Sequence, residues 1–405
     1  MSVPFTRNAR RLAILTTACV ALVATRAPGA ELSGYVSFDP RVFPGDPLYA
    51  GQHEMASLSL SAQPELYAEW ADGDQSLLFV PFFRYDQQDS RRTHVDAREA
   101  FYLMVGDTWE LRAGLQKVFW GVTESQHLVD VINQTDAVED VDGEDKLGQP
   151  AVSLALIHDW GVLDLYLLPG FRERTFPGRE GRLRPPLYVD PDLTTYESDA
   201  EEWHVDWAGR WSHTLGPFDL GISHFSGTNR EPSLAPAVTA AGEAVLAPHY
   251  SLIDQTAIDA QAITAGWLWK LEVVNRYGDG DRFAALTGGF EYTFSNVRDT
   301  GIDIGLLGEY LWDERGDDGT APFEDDLFVA TRVALNDVQD TAILAGALVD
   351  RDTRGASGLV EASRRVGDSW KLSLEARAVF GTDEADPLHA FRQDDTFRLD
   401  LARYF

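Results

Sequence analysis

Segments of about ten residues alternate apolar and polar side chains, a leader-like segment precedes them, and the last of them ends the chain on an aromatic residue. Together these features predict an all-β chain, a transmembrane antiparallel β-barrel of about eighteen strands, with sixteen as the neighbouring even count. Short periplasmic turns and long extracellular loops are expected to alternate along it.

The leader comes first. Arg7, Arg10 and Arg11 precede an apolar run from Leu12 to Ala24, and small residues follow at Ala27, Gly29 and Ala30. That order predicts a cleaved secretory signal peptide over residues 1–30, with the barrel occupying 31–405. The small-x-small rule is met best by cleavage after Gly29; cleavage after Ala30 would put Pro28 at the −3 position. The run is too short for a membrane anchor. Cys19 is the only cysteine, and Thr16 three residues before it argues against a lipoprotein site. The mature chain is therefore expected to lack disulfides and cysteine metal sites, as is ordinary for a bacterial envelope protein.

The formal net charge is −31, which argues against nucleic acid as a partner. No later segment is long and apolar enough for a spanning helix. The strands have the period expected of a barrel wall. In "EEWHVDWAGRWSH", Trp203, Val205, Trp207 and Trp211 share one face, and His204, Asp206 and Arg210 the other. In "WKLSLEARAVF", Trp370, Leu372 and Leu374 oppose Lys371, Ser373, Glu375 and Arg377. "WLWKLEVVNR" sets Trp267, Trp269 and Leu271 against Lys270, Glu272 and Arg276. Soluble sandwich strands are usually shorter, and aromatics near the ends of an apolar face fit an interfacial girdle.

Strands are expected near 32–43, 54–71, 75–86, 93–105, 108–119, 150–158, 161–172, 200–212, 216–226, 249–262, 266–277, 281–295, 299–313, 324–336, 338–351, 354–366, 368–381 and 393–405. The connections check this count independently. Those after even strands are short, such as "DGD" at 72–74, "GD" at 106–107 and "DW" at 159–160. The longest follow odd strands: 44–53, 120–149, 173–199, 227–248, 314–323 and 382–392. Phe397, Leu399, Leu401 and Phe405 share a face of the last strand. The terminal Phe405 looks like the signal that outer-membrane barrels present to their assembly machinery, although Arg403 departs from the usual hydrophobic residue.

The third outer loop, 120–149, interrupts the strands with an acidic stretch. By analogy with general porins, its residues 122–148 are expected to fold into the lumen as a constriction. Asp136, Glu139, Asp140, Asp142, Glu144 and Asp145 would then favour cations. The other reading keeps the loop outside, where its carboxylates bind divalent cations that bridge lipopolysaccharide. A calcium hand centred on Gly143 is a poor match, because Val138 and Gln149 occupy ligand positions.

"VFWGVTESQHLVDVINQTD", then "LGQPAVSLAL" and "DLYLLPGFRERTFPG", cover roughly residues 110 to 185. This region resembles a family of Gram-negative porin-like outer-membrane barrels related to the alginate-export type, with a tryptophan-glycine start, a D-x-I-N-P-x-D element and a strand ending in Leu-Pro-Phe-x-Arg. Gln134 takes the place of the family's proline, and Gly170 that of an aromatic. The resemblance implies an outer-membrane channel and assigns no substrate.

After the seventh strand come Arg172, Arg174, Arg179, Arg182 and Arg184. They form either a collector for anionic solutes or contacts to lipid A phosphates or the acidic third loop. Lumen-facing charges are expected at Arg98, Arg112, Lys270, Glu272, Arg276, Arg332, Lys371, Glu375 and Arg377. Several recur as pairs, such as Asp96 with Arg98 and Glu110 with Arg112, and would brace the wall or set a transverse field. His94, His158, His204 and His224 are scattered, and no H-E-x-x-H or G-x-S-x-G motif occurs.

The expectation is therefore a Gram-negative outer-membrane channel for small hydrophilic solutes rather than an enzyme, with no cofactor. Its partners would be membrane lipid and lipopolysaccharide. An export channel working with periplasmic partners and a barrel hydrolase are the alternatives, and the oligomeric state stays open.

Overall fold

In the computed structural model, described for residues 29–278, 280–316, 323–384 and 386–405, the chain forms twenty-one strands and no helix beyond short 3₁₀ turns. The predicted leader lies outside the described residues, apart from its last two positions. The first seven strands are β1 (Ala30–Val42), β2 (Ala56–Trp70), β3 (Gln75–Asp86), β4 (His94–Val105), β5 (Trp109–Gln116), β6 (Gln149–His158) and β7 (Gly161–Pro169). Then come β8 (Thr195–Tyr196), β9 (Val205–Leu215), β10 (Phe218–Thr228), β11 (Ser233–Val238), β12 (Ala244–Tyr250), β13 (Leu252–Thr264) and β14 (Trp267–Tyr277). The last seven are β15 (Phe283–Phe294), β16 (Asp303–Asp313), β17 (Asp325–Ala334), β18 (Ala342–Asp350), β19 (Ala356–Val366), β20 (Trp370–Phe380) and β21 (Thr396–Tyr404).

Eighteen of these make one sheet of antiparallel neighbours, which closes where β1 pairs with both β2 and β21. Closure leaves no unpaired edge, the condition for strands to cross lipid. The other three, β8, β11 and β12, form a small sheet within the outer loops. The hairpin β11–β12 lies in a stretch expected to be plain loop, because its Ala- and Pro-rich strands lack strong alternation.

Alternation sends apolar side chains outward. On β1, Leu32, Val36, Phe38 and Val42 are exposed on the outer face, while Ser37, Asp39 and Arg41 are buried within. Outward aromatics gather near the short-turn rim: Trp267 stacks on Trp269 with Phe290, Tyr292 and Phe294 beside them, and Trp70 stacks on Tyr102. Such belts sit at headgroup level in outer-membrane barrels. Between Val80 and Pro81 the β3–β4 register slips, leaving Arg98 with no residue opposite it. Proline cannot donate to the ladder, and a bulge there adds an inward-pointing side chain to the wall.

The lumen is not filled evenly. The third outer loop, residues 117–148, lies inside the barrel. Its Trp120, Val129, Val131 and Ile132 pack on inward-facing Ala151, Leu168, Ala208, Phe225, Ile253, Ala257, Val274 and Ala285. The wall from β6 to β15 thus carries an apolar patch on its inside, set among polar groups such as Gln255 and Glu272, and the loop covers it. Gly148 lets the loop return to the wall, because a Cβ there would stand 2.3 Å from the Arg98 carbonyl oxygen.

Candidate functional site: the lumenal loop and the passage beside it

Three sets of contacts fix the third loop. Its apolar side is the packing just described. Its leading edge is held by two wall carboxylates that receive backbone N–H groups. Glu272 on β14 accepts from Val122 at 2.6 Å, Thr123 at 3.0 Å and Val129 at 3.2 Å, and from the Thr123 hydroxyl at 2.7 Å. Glu309 on β16 accepts from Glu124 at 2.8 Å and Ser125 at 2.8 Å, and from the Ser125 hydroxyl at 2.6 Å. Hydrogen bonds to an ionised acceptor are the stronger kind, and each here satisfies a loop N–H that would otherwise be buried unpaired.

The third set is electrostatic. Glu139 binds Arg84 at 2.7 Å, and its backbone carbonyl accepts from Arg92 at 3.1 Å. Asp140 joins Arg41 at 3.2 Å, Arg377 at 3.0 Å and Arg398 at 3.0 Å. Asp136 pairs with Arg98 and accepts from the Thr175 hydroxyl at 2.5 Å. Asp39, fully buried on β1, ties the same arginines together through Arg84, Arg92 and Arg398, each at 3.1 Å.

The six acidic loop residues therefore divide. Asp136, Glu139 and Asp140 are buried against arginines of the wall. Asp142 and Glu144 face the open lumen, where Asp142 meets Arg377 at 2.6 Å and Glu144 meets His127 at 3.0 Å. Asp145 is partly buried beneath them, and its backbone carbonyl accepts from Asp136. Burial, with Glu139 and Asp142 nearby, pushes its carboxyl up to about 6. The ligand atoms of His94, Asp136 and Glu139 lie within 4.8 Å of one another. Arg98 and Arg84 already engage those two carboxylates, so the group is a salt-bridge node with little left to offer a metal.

The wall charges expected from the sequence all belong to inward faces. Arg112 pairs with Glu110 at 3.2 Å, Arg276 with Glu231 at 2.7 Å, and Glu375 with Arg377 at 2.8 Å. Glu124 at the loop's tip receives Lys270 at 3.4 Å and Arg332 at 2.8 Å. Lys371 lines the lower lumen. The outer-loop arginines act as ties between loops. Arg172 reaches Asp96 at 2.7 Å and the Gly148 carbonyl at 3.1 Å. Arg174 approaches Gln134 at 3.4 Å, and Arg179 pairs with Glu243. Arg182 is buried against Asp394 at 2.6 Å, and Arg184 donates to the carbonyls of Ala50 and Pro185. His204 stands 2.8 Å from Asp206, whose other oxygen holds Arg230 at 2.8 Å.

Sequence reasoning missed Arg41, Arg84, Arg92, Arg398, Glu124 and Glu309. Their signal was available: four arginines on or beside strands that flank the acidic loop across the closure point, at inward positions of the alternation.

Beside the loop, along β17 to β21, space remains. An upper cavity of about 640 Å³ lies between the loop edge (Glu124, His127, Asp142, Glu144) and wall residues that include Phe328, Leu348 and Leu359. A lower one of about 460 Å³ is lined by Arg332, Ser363, Lys371, Ser373 and Arg398. Leu344 and Glu361 line both.

His127 gives this edge a pH response. Burial disfavours its charge, but the Glu144 carboxylate at 3.0 Å and the Glu272 carboxylate at 3.9 Å outweigh that and push it up to about 10. This lies above the ordinary histidine value near 6.5, so the stabilisation is whole below that pH and is lost as pH rises toward about 10. Hydrogen-exchange protection of the Val122–Ser125 amides should fall across that window in the native protein. In His127→Gln it should show no such slope.

No protein-family model and no curated protein matches the chain. Solved structures similar to it in fold include two porins. The BenF-like porin from Pseudomonas fluorescens Pf-5 superposes with a TM-score of 0.54 at 10% identity, covering 93% of this chain and 98% of that one. Pseudomonas aeruginosa OccK11 (OpdR) gives 0.52 at 10% identity, covering 93% and 95%. The chain thus has the fold of Gram-negative outer-membrane porins, an eighteen-stranded closed barrel. At this identity the likeness speaks for the fold.

Proposed function

We propose that the protein is an outer-membrane channel through which small water-soluble solutes diffuse. The observation that carries this reading is the pair of stacked cavities, sharing Leu344 and Glu361, that the lumenal loop leaves open along one side of a closed barrel. The outward apolar faces and aromatic belt support a place in the outer membrane. Fixed ion pairs on both sides of the passage support a narrow, water-filled route that a loosely tethered loop would not keep. Selectivity in this reading comes from the passage-facing members of the acidic loop, Asp142 and Glu144, together with Glu124 and Glu361. Asp136, Glu139 and Asp140 serve to hold the loop in place.

Reversal potentials across a planar bilayer under a KCl gradient test the reading. The intact protein should favour potassium, and Asp142→Asn with Glu144→Gln should reduce that preference without closing the pore. An anion preference in the intact protein would contradict the assignment of selectivity.

A further inference from the structure

We propose that the upper cavity is a binding site for organic ammonium ions that carry an apolar body. This rests on the channel reading above and names the solute class for the same passage.

The wall of that cavity departs from what a purely polar route requires. Phe328 and Leu348 face inward and are buried, with Leu344 beside them and Leu307 and Leu311 behind, in one apolar cluster. Leu359 on β19 continues the surface into the cavity. A cavity of about 640 Å³ is the size that encloses a small organic molecule, and an apolar wall with a few placed charges is the usual composition of such a site.

The charges fix the sign. On the facing loop edge each carboxylate meets a cation: Glu124 meets Arg332, Asp142 meets Arg377 and Glu144 meets His127. Arg377 is shared among Asp140, Asp142 and Glu375, so its charge is more than matched. Glu361 differs. It is half-buried on β19 between the two cavities, its cross-strand neighbour on β20 is another carboxylate, Glu375, and among the described residues its carboxylate makes no hydrogen bond or salt bridge of its own. Arg377 and Arg398 already offset the charge of Glu375, and a cation bound at Glu361 would offset its partner across the ladder. Among the described residues Lys371 has no salt bridge, and it lines the lower cavity and not the upper one. An ammonium at Glu361 would rest its hydrocarbon or ring against Phe328, Leu348 and Leu359. An anion of the same shape would meet an unpaired carboxylate.

The test uses 2-phenylethylammonium, phenylacetate and ethylammonium on the full mature barrel, with folding verified by heat-modifiable gel mobility. In single-channel records, 2-phenylethylammonium added on the long-loop side should interrupt the current, and the other two should not. Glu361→Gln should shorten the interruptions about tenfold, as expected for loss of one charge-assisted contact. Phe328→Ala should also shorten them. Calorimetric titration of the detergent-folded protein reads the same binding without requiring conduction, so a silent barrel still tests the site. A silent barrel that binds 2-phenylethylammonium through Glu361 would overturn the channel and keep the site. Equal binding of phenylacetate, or binding indifferent to Glu361→Gln and Phe328→Ala, would overturn the site and leave the channel standing.

Discussion

Asp39→Asn is expected to destabilise the folded barrel by about 3–5 kcal/mol, the range for removing one partner from a buried ion pair. The Asp39 carboxylate is fully buried, with Arg84 and Arg92 on one oxygen, Arg398 on the other and Arg41 at 3.8 Å. Asparagine keeps the volume and one acceptor but removes the charge that these guanidinium groups share. The acidic loop residues Glu139 and Asp140 would still partner some of them, which keeps the effect below complete unfolding. Urea unfolding from lipid vesicles, followed by tryptophan fluorescence, measures the change. Asp74→Asn, in an exposed short turn, is the control and should stay within about 0.5 kcal/mol of the native protein. Equal values for the two variants would mean that water solvates the arginine cluster.

Replacing residues 123–145 by a short Gly-Ser linker is expected to raise single-channel conductance several-fold and to turn the ion preference toward anions. Size and charge act together here. The loop fills the β6–β15 half of the lumen, so its removal opens the cross-section beyond the two cavities. It also removes Asp136, Glu139 and Asp140, the carboxylates that match Arg41, Arg84, Arg98, Arg377 and Arg398. Those arginines would then line a wider pore with fewer partners, and a lumen lined with one sign of charge selects the opposite ion. The trimmed barrel should also be less stable, because Ala208, Phe225, Ile253 and Val274 lose their apolar cover.

Much of the architecture was legible in the sequence, for a definite physical reason. A wall with lipid outside and a polar lumen inside must alternate, so Val205 to Trp211 or Trp370 to Ala378 declare their faces residue by residue. Strand ends were less legible. The chain around Glu201–Trp203 forms a 3₁₀ turn before β9 begins at Val205, and β5 ends at Gln116 where the loop turns inward. What alternation could not convey was the apolar patch inside β6 to β15. Inward Phe225, Ile253 and Val274 read as ordinary noise in a polar face until the loop that covers them is in place.

The site was legible in part. The acidity of the third loop stood out in the sequence, but its partners did not, because Arg41 and Arg398 lie at opposite ends of the chain and meet only where β1 closes on β21. Carboxylates that look alike in sequence then separate into anchors, such as Asp140, and passage-facing groups, such as Asp142. Glu361 drew no notice for the same reason. That it stands unpaired is a property of the assembled lumen.

The most direct measurement of the central claim is a side-by-side single-channel recording of the intact mature barrel and the barrel trimmed at residues 123–145, both refolded and verified by heat-modifiable mobility. The intact protein should show a steady, modest, cation-favouring conductance and the trimmed barrel a larger, anion-leaning one. A folded intact barrel that stays silent, or two barrels with the same conductance and ion preference, would contradict it.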